Sequence, residues 1–150
     1  MAAPVEGRLR PMTTDVHHGG CSCGAVRYRA TGKPKWAAHC HCRDCRKQTG
    51  AALATWAGFA SERFAFTGAP QAYRSSPGVV RRFCGTCGTP LTYEGERWPG
   101  EIHLLAGTLD DPGAIAPGAH VYVAHQLPWL RLADGLPRFN TVPSEGGPLP

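Results

Sequence analysis

The stretch HCHCRDCRKQTG, His39 to Gly50, puts three cysteines within six residues and surrounds them with basic groups. Its first half reads as the end of a strand. Residues i and i+2 of a strand face the same way, so Cys40 and Cys42 present two thiols together. Its second half, RDCRKQTG, is the one convincing helical piece of the chain, a turn or two that Gly50 is suited to close. Thiols carried across a junction from strand to turn imply that metal or redox chemistry organises this part of the fold.

Outward from this stretch the chain favours strands. AVRYRA (25–30), KWAAH (35–39), ERFAF (62–66), VVRRF (79–83), PLTYE (90–94), EIHLLA (101–106) and HVYVAH (120–125) are short, rich in β-branched or aromatic residues, and partly alternating. Turn signals separate them: GKP after the first, then GAP at 68–70, SSPG at 75–78 and DDPG at 110–113. The 19 glycines and 14 prolines are scattered between these runs, as in a turn-rich β protein. The expected class is all-β, β-rich with minimal helix. At 150 residues the chain has the size of one domain that can bury a real core. Residues 15–139 carry the patterning. Residues 1–14 read as a flexible leader, with Met12 an alternative start, and residues 140–150 (NTVPSEGGPLP) read as a flexible tail.

Cys21 and Cys23 precede the opening stretch and Cys84 and Cys87 follow it, which makes seven cysteines. An odd number does not suit a disulfide framework. The first fifteen residues also lack the apolar run of about 7 to 15 residues that marks a secretory signal. Closely spaced cysteines then read as metal ligands or redox groups in a reducing compartment. No apolar stretch approaches the roughly 20 residues of a membrane helix. The expectation is a soluble, cytoplasmic protein. The formal charge of +5 is weak evidence for a nucleic-acid partner, because seven deprotonated thiols carry seven negative charges and two zinc ions return only four, leaving +2. Arg43, Arg46 and Lys47, and the pair Arg81 and Arg82, read first as solvated surface.

Cys84-Gly-Thr-Cys87-Gly88 is a Cys-x-x-Cys half-site whose small residues let the backbone wrap a metal, and Cys21 with Cys23 offers a second half. Four thiolates close a tetrahedral zinc site that contributes to folding. Cys40, Cys42 and Cys45 remain, and three protein ligands are the mark of a zinc with an open position. Spacing leaves alternatives. His39 or His41 completes a second closed site, or three free thiols simply lie close together. Cys42 and Cys45, themselves a Cys-x-x-Cys, join Cys84 and Cys87 and leave Cys21, Cys23 and Cys40. Four thiolates also suit iron. A zinc deaminase is excluded, since neither His-x-Glu nor Pro-Cys-x-x-Cys occurs. A classical DNA finger is excluded too, since His103 stands alone in the window after Cys87.

Other residues have ordinary readings. His17 and His18 read as part of an exposed leader. His103, His120 and His125 read as hydrogen-bonded sheet residues, Trp129 as a packing residue, and Asp110 and Asp111 as a turn.

GGCSCGAVRY (19–28), HCHCRDCRKQTGA (39–51), RRFCGTCGTPL (81–91), AGTLDDP (106–112) and HVYVAHQLPWLRLADGLPRF (120–139) together resemble the glutathione-dependent formaldehyde-activating enzyme family, which includes centromere protein V. The resemblance covers Gly19 to Phe139 and rests on the order and spacing of all seven cysteines. It implies a β-rich, Mss4-like zinc-binding fold with two zinc ions per chain. Cys21, Cys23, Cys84 and Cys87 would hold a structural zinc, and Cys40, Cys42 and Cys45 a catalytic one. It further implies a carbon-sulfur lyase that adds formaldehyde, or a related aldehyde, to glutathione or a similar small thiol, giving S-(hydroxymethyl)glutathione, or removes it. Arg43, Arg46 and Lys47 would pair with the thiol's carboxylates. Neither nucleic acid nor membrane is an expected partner, and nothing in the sequence speaks to oligomeric state. The competing reading, to which centromere protein V points, is a non-catalytic, zinc-stabilised binding module.

Overall fold

The computed structural model describes residues 15–150, so the leader read over residues 1–14 lies outside the described residues. The chain is β-rich, with ten strands in two sheets and one α-helix among the described residues. The strands are β1 (Val16–Gly20), β2 (Arg27–Thr31), β3 (Trp36–Cys40), β4 (Ala54–Ala60), β5 (Phe64–Thr67), β6 (Gln71–Ser76), β7 (Val79–Phe83), β8 (Pro90–Gly95), β9 (Glu101–Leu105) and β10 (His120–Val121). The helix α1 spans Arg43–Thr49. One sheet has the order β1-β2-β5, and the other β10-β3-β4-β9-β8-β7-β6. Every pairing is antiparallel except that of β10 with β3.

The central strands of the large sheet, β4 and β9, are buried on both faces, and the pleat divides their side chains. On β4, Ala57 and Phe59 face one way, and Ala54 and Trp56 the other. On β9, Ile102 and Leu104 pair across from Phe59 and Ala57, while Leu105 pairs with Trp56. The first set joins Val26, Tyr28, Ala30, Leu91, Leu109 and Ile115 in a core beneath the small sheet. Within it Phe59, Leu91 and Leu104 are almost completely excluded from solvent, and each such side chain contributes roughly 1.5–3 kcal/mol by burial. The second set packs with Ala38, Cys40, Cys45 and Val121 on the opposite face. The two faces of one sheet thus carry different tasks.

Several local readings need correction. His17 and His18 belong to β1, which pairs with β2, and the His17 ring lies 5.4 Å from Phe59. His18 is exposed as expected, His17 is half-buried, and only Gly19 and Gly20 of the strand are buried. β4 lies over ATWAGFA, where small residues buried on both faces erase alternation. HVYVAH supplies only two strand residues, because Tyr122 takes a left-handed conformation (φ 55°) and a 3-10 turn, Val123–His125, follows. Trp129 is 68% exposed and not a packing residue. The single helix closes at Gly50, whose left-handed φ of 69° lets its N–H donate to the Arg46 carbonyl at 2.7 Å. The chain from Asn140 onward runs against the domain: the Tyr122 N–H donates to Thr141 O, and the Leu149 N–H to Arg138 O.

Candidate functional site

The seven thiols fall into two groups, Cys21/Cys23/Cys84/Cys87 and Cys40/Cys42/Cys45, and within each the sulfurs lie within 4.8 Å of one another. Cys21 and Cys23 sit in the turn after β1, not within a strand. Their sulfurs are 3.5 Å apart, and Cys23 Sγ is 3.7 Å from Cys84 Sγ. The turn after β7 carries Cys84 and Cys87 and is closed by the Gly88 N–H donating to Cys84 O at 2.8 Å. Cys21 Sγ accepts from the Val26 N–H at 3.2 Å. The Ser22 and Thr89 hydroxyls bond to Cys87, with the Thr89 N–H, and push its thiol down to about 4. Amide and hydroxyl donors aimed at sulfur favour thiolate, the form a metal requires.

Cys40 ends β3, Cys42 caps the N-terminus of α1, and Cys45 lies in its first turn. Cys42 Sγ accepts the Cys45 N–H at 3.2 Å. Hydrogen bonds from Cys40, then Cys45, push the Cys42 thiol down to about 2, aided by the Cys45 and Asp44 N–H groups. The complementary effect holds Cys40 far above the usual thiol range: bonding to Cys42 and Cys45, with burial, keeps its proton on. Three sulfurs therefore share the proton positions around one thiolate, an arrangement that a soft cation completes. The bond to Cys40 lowers the Cys45 thiol, but bonding to Cys42 and burial outweigh this and push it up to about 11, and the Trp56 Nε1–H beside the cluster is buried without a hydrogen-bond partner. Both donor sets consist of sulfur alone and fit zinc or tetrahedral iron.

The groups differ in access. Cys40, Cys42 and Cys45 line a cavity of about 660 Å³, and none of the other four cysteines borders it. Trp36, Trp56, Tyr93, Trp98 and Tyr122 supply much of the wall, with Arg43 and Arg81 as its arginines. Of the three basic residues near the cysteines, only Arg43 reaches this cavity. Arg43, Arg46 and Lys47 border a shallower recess of about 530 Å³ on the other side of α1, beside the exposed Trp129. One guanidinium nitrogen of Arg46 also donates to the carbonyls of His41 and His125, tying the cysteine loop to the turn after β10.

A third group, His39, His120 and Asp134, brings its ligand-type atoms within 4.8 Å of one another. His120 Nε2 lies 2.8 Å from Asp134 Oδ2, and His41 Nε2 lies 2.9 Å from His120 Nδ1. Since the carboxylate accepts, His120 donates to Asp134 and accepts the His41 Nε2–H. The rings of His39 and His120 stack at 4.9 Å, and His39 Nδ1 lies 2.8 Å from Thr55 Oγ1. These contacts make the group a brace behind the cysteine strand, running from the fully buried His41 and His120 to the exposed Asp134. Sequence reading missed it, because His41 and Asp134 lie far apart with no periodic signal between them.

Strand-rich architecture and two thiol clusters that could hold metal, one carried by two turns and one opening on a cavity, define a small cysteine-cluster protein built on a β scaffold. Residues 16–125 match the glutathione-dependent formaldehyde-activating enzyme family, and the chain belongs to it. A curated Halomonas elongata protein carrying that family's name is 27% identical over 125 residues, covering 76% of this chain and 79% of its own. The crystal structure of a Rhodobacter sphaeroides protein is similar in fold, with a TM-score of 0.51 and 24% identity over 67% of this chain and 91% of that one. No helix among the described residues is long and apolar enough to cross a membrane.

Proposed function

We propose that the protein is a zinc-dependent carbon-sulfur lyase of the glutathione-dependent formaldehyde-activating type. It adds an aldehyde to a small thiol, or removes it, at Cys40, Cys42 and Cys45. The observation that carries this reading is the placement of that cluster at a cavity wall while the remaining four cysteines stay outside it. In this reading Cys21, Cys23, Cys84 and Cys87 hold one zinc ion as a structural centre, and the three cavity thiols hold a second. Zinc held by three thiolates supplies an open position at which an added thiol is kept deprotonated.

The chain's own residues bind and orient the reactants. Arg43 and Lys47, on the exposed side of α1, offer cations to the carboxylates of a thiol such as glutathione. The aromatic walls exclude water from the reacting carbon. Attack of the thiolate forms the carbon-sulfur bond, the carbonyl π pair moves to oxygen, and that oxygen takes up the proton the thiol has released. The reverse sequence cleaves the adduct. Residues 15–139 form the zinc domain of this proposal, working in a reducing compartment.

Native mass spectrometry of the wild type and of Cys42→Ser, paired with exchange spectroscopy of glutathione and formaldehyde, tests the reading. Two zinc ions falling to one in a folded variant, with exchange above the uncatalysed rate only in the wild type, is the expected result. One zinc in the wild type after zinc addition, or no exchange of glutathione with any aldehyde above background, would overturn it in favour of a zinc-stabilised binding module.

A further inference from the structure

The register of the large sheet builds one wall of the cavity as a single cross-strand row. Trp36 pairs with Gly58, Gly58 with His103, His103 with Tyr93, and Tyr93 with Arg81, so these positions stand side by side on the face that carries the cysteines. Gly58 leaves a gap that the Trp36 indole fills: a Cβ there would lie 2.4 Å from Trp36 Nε1. The wall is rigid. His103 lies edge-on to Trp36 at 4.5 Å, stacks on Tyr93 at 5.2 Å, and meets Trp98 at 6.1 Å. Glu101 holds both His103 Nε2 and Trp36 Nε1 at 3.1 Å.

The row ends on a cation. Arg81 is 8% exposed, its guanidinium lies 5.0 Å above the Tyr93 ring, and its Nε donates to Ser75 Oγ at 3.1 Å. Arg27, Lys35, Arg82 and Arg97 each pair with a carboxylate. Arg81 has no acidic partner among the described residues, although it borders the cavity. A buried guanidinium backed only by a hydroxyl and an aromatic face retains donors for an anion.

Formaldehyde alone occupies little of this space. A cavity of about 660 Å³ falls in the range of roughly 300–1,000 Å³ that encloses ligands of drug size, where apolar walls take the body and a few polar groups fix its orientation. Aromatic walls do not suit the peptide part of glutathione, whose charged groups find cations on the other side of α1. We propose that the cavity takes, as the carbonyl partner of the thiol, an aromatic aldehyde bearing a carboxylate. Its ring lies against the row from Trp36 to Tyr93, its carboxylate pairs with Arg81, and its aldehyde carbon faces Cys40, Cys42 and Cys45. Thiolate addition to that carbon forms the carbon-sulfur bond, and the former carbonyl oxygen ends as a hydroxyl. The proposal rests on the lyase reading above.

Calorimetric titration of the zinc-loaded wild type with benzoate, benzyl alcohol and acetate probes the cavity without reaction. Exchange of glutathione with 4-carboxybenzaldehyde, benzaldehyde and formaldehyde then probes the chemistry. Benzoate is expected to bind at least about tenfold tighter than either partial mimic. 4-Carboxybenzaldehyde is expected to exceed formaldehyde in kcat/KM by a similar factor. Arg81→Met should erase the advantage of 4-carboxybenzaldehyde over benzaldehyde, and the wild-type titrations keep the test valid should that variant not fold. Accelerated exchange of formaldehyde alone, or equal binding of benzoate and acetate, overturns this proposal and leaves the lyase reading intact. No accelerated exchange of any aldehyde by protein holding two zinc ions overturns both.

Discussion

Two thiol clusters in one small domain differ in how the chain assembles them. Cys21 and Cys23 meet Cys84 and Cys87 across more than sixty residues, through two turns otherwise joined by the Ser22 N–H and hydroxyl bonding to Thr89 Oγ1. Cys40, Cys42 and Cys45 come from six consecutive residues at the junction of β3 and α1, and that backbone is fixed by its own strand pairing and by the Gly50 cap. The distant cluster works as a clamp between turns, whereas the local one is carried by a structure that stands without it. Ligands from one short segment also approach from one side only, which leaves the other side to the cavity.

Breaking one ligand in each cluster tests this contrast, and it carries the largest expected effect. Cys84→Ser removes a member of the clamp from a buried position and should cost about 4 kcal/mol or more, the range reached on loss of a structural metal. For a chain of this length that lowers Tm by roughly 10 °C. Cys42→Ser should leave Tm within a few degrees of wild type and remove exchange activity. Thermal melts on the two zinc-loaded variants check the pair, and equal losses of Tm would dissolve the distinction.

Gly58→Ala sharpens the comparison from the cavity side. The added methyl meets the Trp36 indole at 2.4 Å, and overpacking of this kind costs typically about 1–3 kcal/mol. The displaced indole should also loosen the wall beside the local cluster while metal content stays that of the wild type. Denaturant midpoints and metal content, read together, check this. Unchanged stability would show that the indole has room to move aside.

The strand-rich class was legible because short β-branched runs and turn dipeptides recur along the chain, and VVRRF matches β7 residue for residue. β4 was not legible. A central strand covered on both faces needs no alternation, and ATWAGFA holds small residues where Trp36 crowds in. The cysteine spacing allowed two partitions, and the way the turns after β1 and β7 approach one another decides which sulfurs are neighbours. The row from Trp36 to Arg81 was hidden for a related reason. Its members come from β3, β4, β9, β8 and β7, and only strand register places them abreast. Arg81 itself read as solvated surface beside Arg82, yet it is buried, because the pleat turns neighbours to opposite faces.

The smallest effect concerns protons, and it separates the cavity wall from the metal sites. Burial pushes His103 below its ordinary value, and the hydrogen bond its Nε2–H donates to Glu101 opposes this only in part. The unfolded chain therefore binds a proton at His103 at a higher pH than the folded chain does. Stability from this residue is complete above about pH 6.5, the ordinary value for histidine, and declines as pH falls below it toward the lower folded value. Glu101 is itself held below its ordinary value, because its bonds to Lys35, Trp36 and His103 outweigh burial, so its contribution persists through this window and fades only at lower pH. His103→Gln should flatten the fall in denaturant midpoint between pH 7 and 5.5 while leaving metal content unchanged over the same range. A slope identical to that of wild type would assign the decline to other groups, His41 and His39 among them, which burial also holds below their ordinary values.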